Sequence, residues 1–417
     1  MIMGADGTFE RMWSELEPVG RHPRSGGYRR FAWADADLEC RTWFVANAAE
    51  RDLDVEADGN GNLWAWWGDP EAGNALVTGS HLDSVPDGGA FDGPLGVVSA
   101  FAALDVLRAR GFTPSRPVAI VAFSDEEGAR FGVACGGSRL MTGELDADRG
   151  RALTDAEGVT MAEAMAAAGH DPAGVGTDPE RLSRLGQFVE LHVEQGRVPL
   201  TTPDGARVWG LDGYGAPIGL ASMIWPHGRW RFDFAGRADH AGTTALGDRD
   251  DPMIRYADAV LAARAAAERH TAVATFGKVS VHPNGVNAIP SLVQAWLDAR
   301  GSDEERVRAT VADVSGHTGS RTSPQPAVEE SWTPAVRFDD ALRDVVATAL
   351  KPRFGAVPVL PTGAGHDAGI LAAAGVPAAM LFVRNPTGVS HSPAESADRA
   401  DCLSGVEALA DVLEALG

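Results

Sequence analysis

The residues of this chain best suited to chemistry are three histidines and a handful of carboxylates, each just beyond an apolar run. In "SHLDSVPDGGAFDGPLG", His81 and Asp83 stand at i and i+2, and Asp92 follows in a glycine-rich segment. A histidine that binds metal needs its second ring nitrogen held, and a His-x-Asp pair can supply that brace, so Asp83 reads as an orienting group. The same carboxylates would equally serve a solvated loop in which they cap turns. In "FSDEEGARF", Asp125, Glu126 and Glu127 are adjacent acids that repel one another unless cations or protons offset them. One such acid can bind a cation while its neighbour holds a proton near the bound water; an exposed charged turn is the other reading. His192 in "VELHVEQG", followed by Gln195, and His391 in "VRNPTGVSHSPAES" complete the set. Three histidines with one Asp and one Glu suit two divalent cations of intermediate softness, joined by a bridging carboxylate.

Those residues need a scaffold that brings strand ends together. The runs "ALVTG", "RPVAIVAFS", "QFVELHV" and "PAAMLFVRN" predict buried strands of a largely parallel sheet, with helices such as "PLGVVSAFAALDVLRARG" between them. Ligands collect beyond the carboxyl ends of such strands, where every polar cluster above falls. The middle third predicts strand, helix, two strands and helix, from "RWRFDFAG" to "SDEERVRATVADV", with one further strand completing a ferredoxin-like split-βαβ unit. Its exit is expected within "GHTGSRTSPQPAVEESW". A chain of 417 residues exceeds the usual span of one core. The expected organisation is α/β: a mixed, largely parallel sheet flanked by helices over 1–214 and 328–417, with an α+β domain inserted at 215–327.

Composition narrows the functional classes. A formal net charge of −22 would repel a phosphate backbone, so no nucleic-acid partner is expected. With 44% apolar residues and no run near the roughly 20 that a span requires, no membrane partner is expected either. The start "MIMGADGTFERMW" lacks the pattern of a signal peptide, and Cys40, Cys135 and Cys402 form no disulfide framework; a cytoplasmic location fits best. "GAGHDAG" lacks the spacing of a dinucleotide fingerprint, and its His366 and Asp367 suit either a site-facing role or turn chemistry. Arg384 suits either a second anion contact or an ion pair with a nearby acid, and Asp87 reads as a solvated turn residue.

The strings "GSHLDSVPDGGAFDGPLGV", "DEEGARF", "LHVEQG", "ADHAGTT", "GVNAIPS", "GAGHDAG" and "GVSHSPAE", in this order from about residue 79 to 396, resemble the amidase, hydantoinase and carbamoylase branch of the dinuclear metallopeptidase superfamily. That branch includes N-carbamoyl-L-amino acid hydrolases, allantoate amidohydrolases and β-ureidopropionases. The resemblance implies a zinc-exopeptidase-like catalytic domain with a lid that also dimerises. It implies two divalent metal ions per subunit, zinc or else manganese, cobalt or nickel. His81 and His192 would bind one, Glu127 and His391 the other, and Asp92 both. Glu126 becomes the general base acting on a water between the cations, and His240 the group that meets the developing oxyanion. Gln195, Asn287, Arg300 and the backbone at Gly365 would hold a small substrate bearing a carboxylate, with Arg300 as its clamp. A homodimer through the inserted domain and a cis peptide at Asp92–Gly93 are implied as well. The implied reaction is hydrolysis of a linear non-peptide C–N bond in an N-carbamoyl amino acid or a ureide such as allantoate. An N-formyl or N-acyl amino acid hydrolase or a dipeptidase is the alternative.

Overall fold

The four apolar runs become the middle of a nine-stranded sheet. In a computed structural model of the chain, which describes residues 5–318 and 327–417, Val118–Phe123, Ala75–His81, Leu185–Val193 and Ala378–Val383 lie side by side in that order and run parallel. Val118–Phe123 is buried at all six positions, as a strand covered on both faces must be. Asp54–Ala57 and Leu63–Trp67 add to one side as antiparallel strands, and Ile218–Ile224 adds antiparallel to the other. The helices Ala5–Leu16, Pro94–Ala109, Asp340–Phe354 and Arg399–Leu416 share one apolar core with this sheet. The Pro94–Ala109 helix packs so closely that a Cβ at Gly96 would stand 2.3 Å from the Leu191 carbonyl oxygen. A second cluster of Trp33, Phe131, Leu140, Met161 and Met165 packs the short helices Gly136–Thr142 and Met161–Ala167. This is the mixed, largely parallel sheet flanked by helices that the sequence predicts.

The chain divides into two compact units, Met1–Met223 with Arg337–Gly417, and Ile224–Val336. The sequence predicts an inserted domain over 215–327. The unit begins later because Ile218–Ile224 pairs with Ala378–Val383 and so belongs to the large sheet. Its own sheet is antiparallel, ordered Ala272–His282, Leu292–Gly301, His227–Ala235, Val328–Thr333. Leu292–Gly301 alternates between half-buried and buried residues along its length. Its buried face, Val293, Ala295, Leu297 and Ala299, joins Trp230, Phe232 and Phe234 against the helices Pro252–His270 and Glu304–Thr318. Of the expected exit segment, residues 319–326 lie outside the described residues. Among the described residues no helix is long and apolar enough to cross a membrane, and all three cysteines are buried and unpaired.

Candidate metal centre

Each candidate ligand of the larger unit sits where a parallel strand ends. His81 closes Ala75–His81, Glu126 and Glu127 follow Val118–Phe123, His192 is the penultimate residue of Leu185–Val193, and His391 lies in the loop after Ala378–Val383. Asp92 arrives from the loop after His81, and its carboxylate stands between two groups. Its Oδ1 lies 3.5 Å from His81 Nε2 and 3.2 Å from His192 Nε2. Its Oδ2 lies 3.4 Å from His391 Nε2, which is in turn 3.4 Å from Glu127 Oε2. His81, Asp92 and His192 form one cluster able to hold a metal ion, and Asp92, Glu127 and His391 form another.

The donor chemistry fits such ions. The Nδ1 of His81 lies 3.2 Å from the Asp83 carbonyl, and the Nδ1 of His192 lies 2.9 Å from the Val193 carbonyl. A carbonyl only accepts, so Nδ1 carries the proton in each ring and Nε2 presents its lone pair inward. Both Nε2 atoms are buried without a hydrogen-bond partner. It is the Asp83 carbonyl that meets His81, while its carboxylate, 3.4 Å from His81 Nδ1, accepts the N–H of Glu126 on Oδ1 at 3.1 Å and that of Glu127 on Oδ2 at 3.0 Å. One buried carboxylate therefore fixes the backbone of both adjacent acids. Glu126 Oε2 lies 3.7 Å from His81 Nε2, and its Oε1 meets the Cys135 thiol at 3.4 Å.

Burial pushes the Glu126 carboxyl well above the ordinary range; Asp367, Glu127 and Asp83 add to this against the opposing pull of His81. Burial and then Asp92 do the same to Glu127. Asp92 goes the other way: burial raises it, but the close His192 and His81 rings outweigh that and hold it well below the ordinary range. So many buried acids at one place mark a site that cations would relieve.

The remaining candidate residues fall in either unit, each described within its own. Gln195 Nε2 donates to Asp92 Oδ2 at 2.7 Å, so the side chain expected at the substrate touches the shared carboxylate. Gly365 is half-buried ahead of His366, whose ring is wholly buried with both nitrogens unpartnered and its centroid 4.5 Å from that of His192. Asp367 is instead turned to Ser138 at 2.5 Å. His240, Asn287 and Arg300 belong to the smaller unit. There the exposed His240 accepts the Gly242 N–H at 3.0 Å, and the Asn287 carbonyl accepts the neighbouring Ala241 N–H at 2.9 Å. Arg300 is engaged by Asp298 through Nε at 2.7 Å and Nη2 at 3.0 Å. Arg384 takes the ion-pair alternative, donating to Asp401 at 2.7 and 3.1 Å.

Two expectations for the His81–Asp92 loop are corrected. The Asp92–Gly93 bond is trans, the cis bond among the described residues being His282–Pro283. The chain turns instead at Gly93, with φ 86° and ψ −61° before the Pro94–Ala109 helix. Only glycine fits, because a Cβ there would lie 2.4 Å from the His81 ring. Asp87 is not merely solvated: both its oxygens pair with Arg29, at 3.0 Å each. The sequence reading also passed over Glu395, whose Oε1 accepts the N–H groups of Phe91 and Asp92 at 2.8 and 3.0 Å. The available signal was an acid closing the "GVSHSPAE" string.

Known proteins carry the same organisation. A crystal structure of an amidase of the hydantoinase/carbamoylase family from Burkholderia vietnamiensis superposes with TM-score 0.86 at 28% identity, covering 98% of this chain and 97% of that one. The N-carbamoyl-L-amino acid amidohydrolase of Geobacillus stearothermophilus is 36% identical, over 96% of each chain. The allantoate amidohydrolase of Escherichia coli K12 is 30% identical, over 95% of each. Residues 77–415 match peptidase family M20/M25/M40, a span containing every candidate ligand. The chain belongs to that family and is a hydrolase.

Proposed function

We propose that this hydrolase cleaves a linear, non-peptide C–N bond of an N-carbamoyl amino acid or a ureide such as allantoate, using two divalent cations per chain. The observation that carries the reading is one buried carboxylate, Asp92, between two ligand clusters, His81 with His192 and Glu127 with His391. The named activities of relatives covered over nearly their whole length support the substrate class. Cations held there would lower the pKa of a shared water from about 15.7 toward 7 and polarise the substrate carbonyl. His/carboxylate sets accept zinc, manganese, cobalt or nickel, so availability decides among them.

The chain's own residues do the rest. Glu126, beside His81 and held in place through its backbone by Asp83, takes the proton of the attacking water and returns it to the leaving nitrogen. A carbamoyl substrate would yield ammonia, carbon dioxide and an amino acid. Gln195, Asn287 and the backbone at Gly365 bind the substrate, His240 supports the developing oxyanion, and Arg300 clamps the carboxylate. Asp298 supports the last role by fixing the guanidinium plane.

The smaller unit is the lid and the dimer contact in this reading. Its edge strand exposes Val273 and Val279, and its Pro252–His270 helix exposes Ile254 at 61% and Leu261 at 70%. An open strand edge beside exposed apolar side chains favours a second copy. Exhaustive chelation tests the metal requirement. Activity should vanish and return on adding zinc, manganese, cobalt or nickel, and activity that survives chelation would contradict the reading.

A further inference from the structure

We propose that Glu395 is a positioning residue that sets the bridging carboxylate of Asp92, an inference that rests on the two-cation reading above. Asp92 can serve both clusters only if the backbone beneath it is fixed, because Oδ1 and Oδ2 face different partners. Neither strand nor helix does this, since Phe91 and Asp92 precede the Pro94–Ala109 helix. Their two N–H groups converge instead on a single atom, Glu395 Oε1, at 2.8 and 3.0 Å. Glu395 is 7% exposed, and its other oxygen is buried without a partner. The loop is built around this carboxylate: a Cβ at Gly89 would stand 2.2 Å from Oε1, so residue 89 must lack a side chain.

The position of Glu395 in the chain gives the contact a second consequence. Its own N–H donates to the Ser392 carbonyl at 3.0 Å, in the turn directly after His391. Glu395 therefore ties the loop bearing His391 to the loop bearing Asp92, two members of one cluster from distant parts of the chain. Asp83 does the equivalent for Glu126 and Glu127, accepting one N–H on each oxygen. In both cases a buried carboxylate outside the ligand set holds two consecutive peptide N–H groups under an acidic ligand. Partners of this kind typically carry a 10–100-fold effect on metal affinity.

The test is competitive titration of the metal-free chain with zinc against a chromophoric chelator, with circular dichroism to verify folding. The parent should take up two ions. Glu395→Ala should bind zinc about 10–100-fold more weakly, and Glu395→Gln should recover most of that loss, since an amide oxygen can still accept both N–H groups. Parent affinity in Glu395→Ala, or equal loss in both variants, would overturn the proposal. Where Glu395→Ala does not fold, Glu395→Asp decides: its shorter reach should weaken binding, and parent affinity would overturn the role. A parent chain that binds fewer than two ions would overturn the dinuclear reading itself, and this inference with it.

Discussion

Glu126 is surrounded by the groups that a proton carrier needs. It has His81 on one oxygen, the Cys135 thiol on the other, and Asp83 beneath its backbone. Replacing it with glutamine keeps the shape and removes the base. Glu126→Gln should retain both metals while kcat falls about 10²–10⁴-fold; metal analysis beside steady-state kinetics checks this, and full turnover would remove Glu126 from the role. The gathering of these side chains was largely legible in the sequence. Histidines and acids just beyond buried apolar strands are costly to keep without a use, and metal ligation restricts which residue types can stand there. What could not be read was any contact made through a peptide N–H. Nothing in the residue types of Phe91 and Asp92 points to Glu395, and nothing in Glu126 points to Asp83 as the anchor of its backbone. Arg384 was ambiguous for a related reason: a guanidinium satisfies a ligand or a neighbour equally well, and only the fold selects Asp401.

The loop from Leu82 to Gly93 delivers Asp92, and side-chain contacts at both ends hold it there. Near its middle, hydrogen bonding from Arg29 and Ser25 holds the Asp87 carboxyl down at about 2, below its ordinary value of 3.8. A folded-state pKa below the unfolded one means stability that is present above about 4 and lost as pH falls through about 2. Asp87→Asn should therefore melt below the parent at neutral pH, with the gap closing between pH 4 and 2. Thermal melts across that range check it, and a gap independent of pH would refute the pairing. The strands beneath these loops were legible because burial on both faces leaves uninterrupted apolar runs, as in Val118–Phe123. The antiparallel additions Asp54–Ala57 and Leu63–Trp67 were not, since one is short and mixed and the other a tryptophan-rich run without alternation. The cis peptide expected at Asp92–Gly93 is replaced by a bend at a positive φ of Gly93 that the close His81 ring reserves for glycine.

At the scale of the molecule, the division into two units places Glu126 and the candidate ligands in one, and His240, Asn287 and Arg300 in the other. The assignment of Arg300 predicts that Arg300→Ala raises KM for a carboxylate-bearing substrate by about tenfold or more, the worth of a charged hydrogen bond; an unchanged KM would place the clamp elsewhere. The exposed Ile254 and Leu261 predict a dimer by light scattering, and a monomer at micromolar concentration would contradict the role given to the smaller unit. The order of strands and helices in that unit was legible from its alternation of apolar residues. Its boundary was not, because Ile218–Ile224 reads as a strand without revealing which sheet it joins. The central claim concerns which bond is broken, and a single screen addresses it: release of ammonia and of amine by the metal-loaded chain over N-carbamoyl, N-formyl and N-acetyl amino acids, dipeptides and allantoate. The account predicts ammonia from a carbamoyl or ureide substrate and its loss in Glu126→Gln. Turnover confined to N-acyl amino acids or dipeptides, with no ammonia from any carbamoyl or ureide compound, would contradict it.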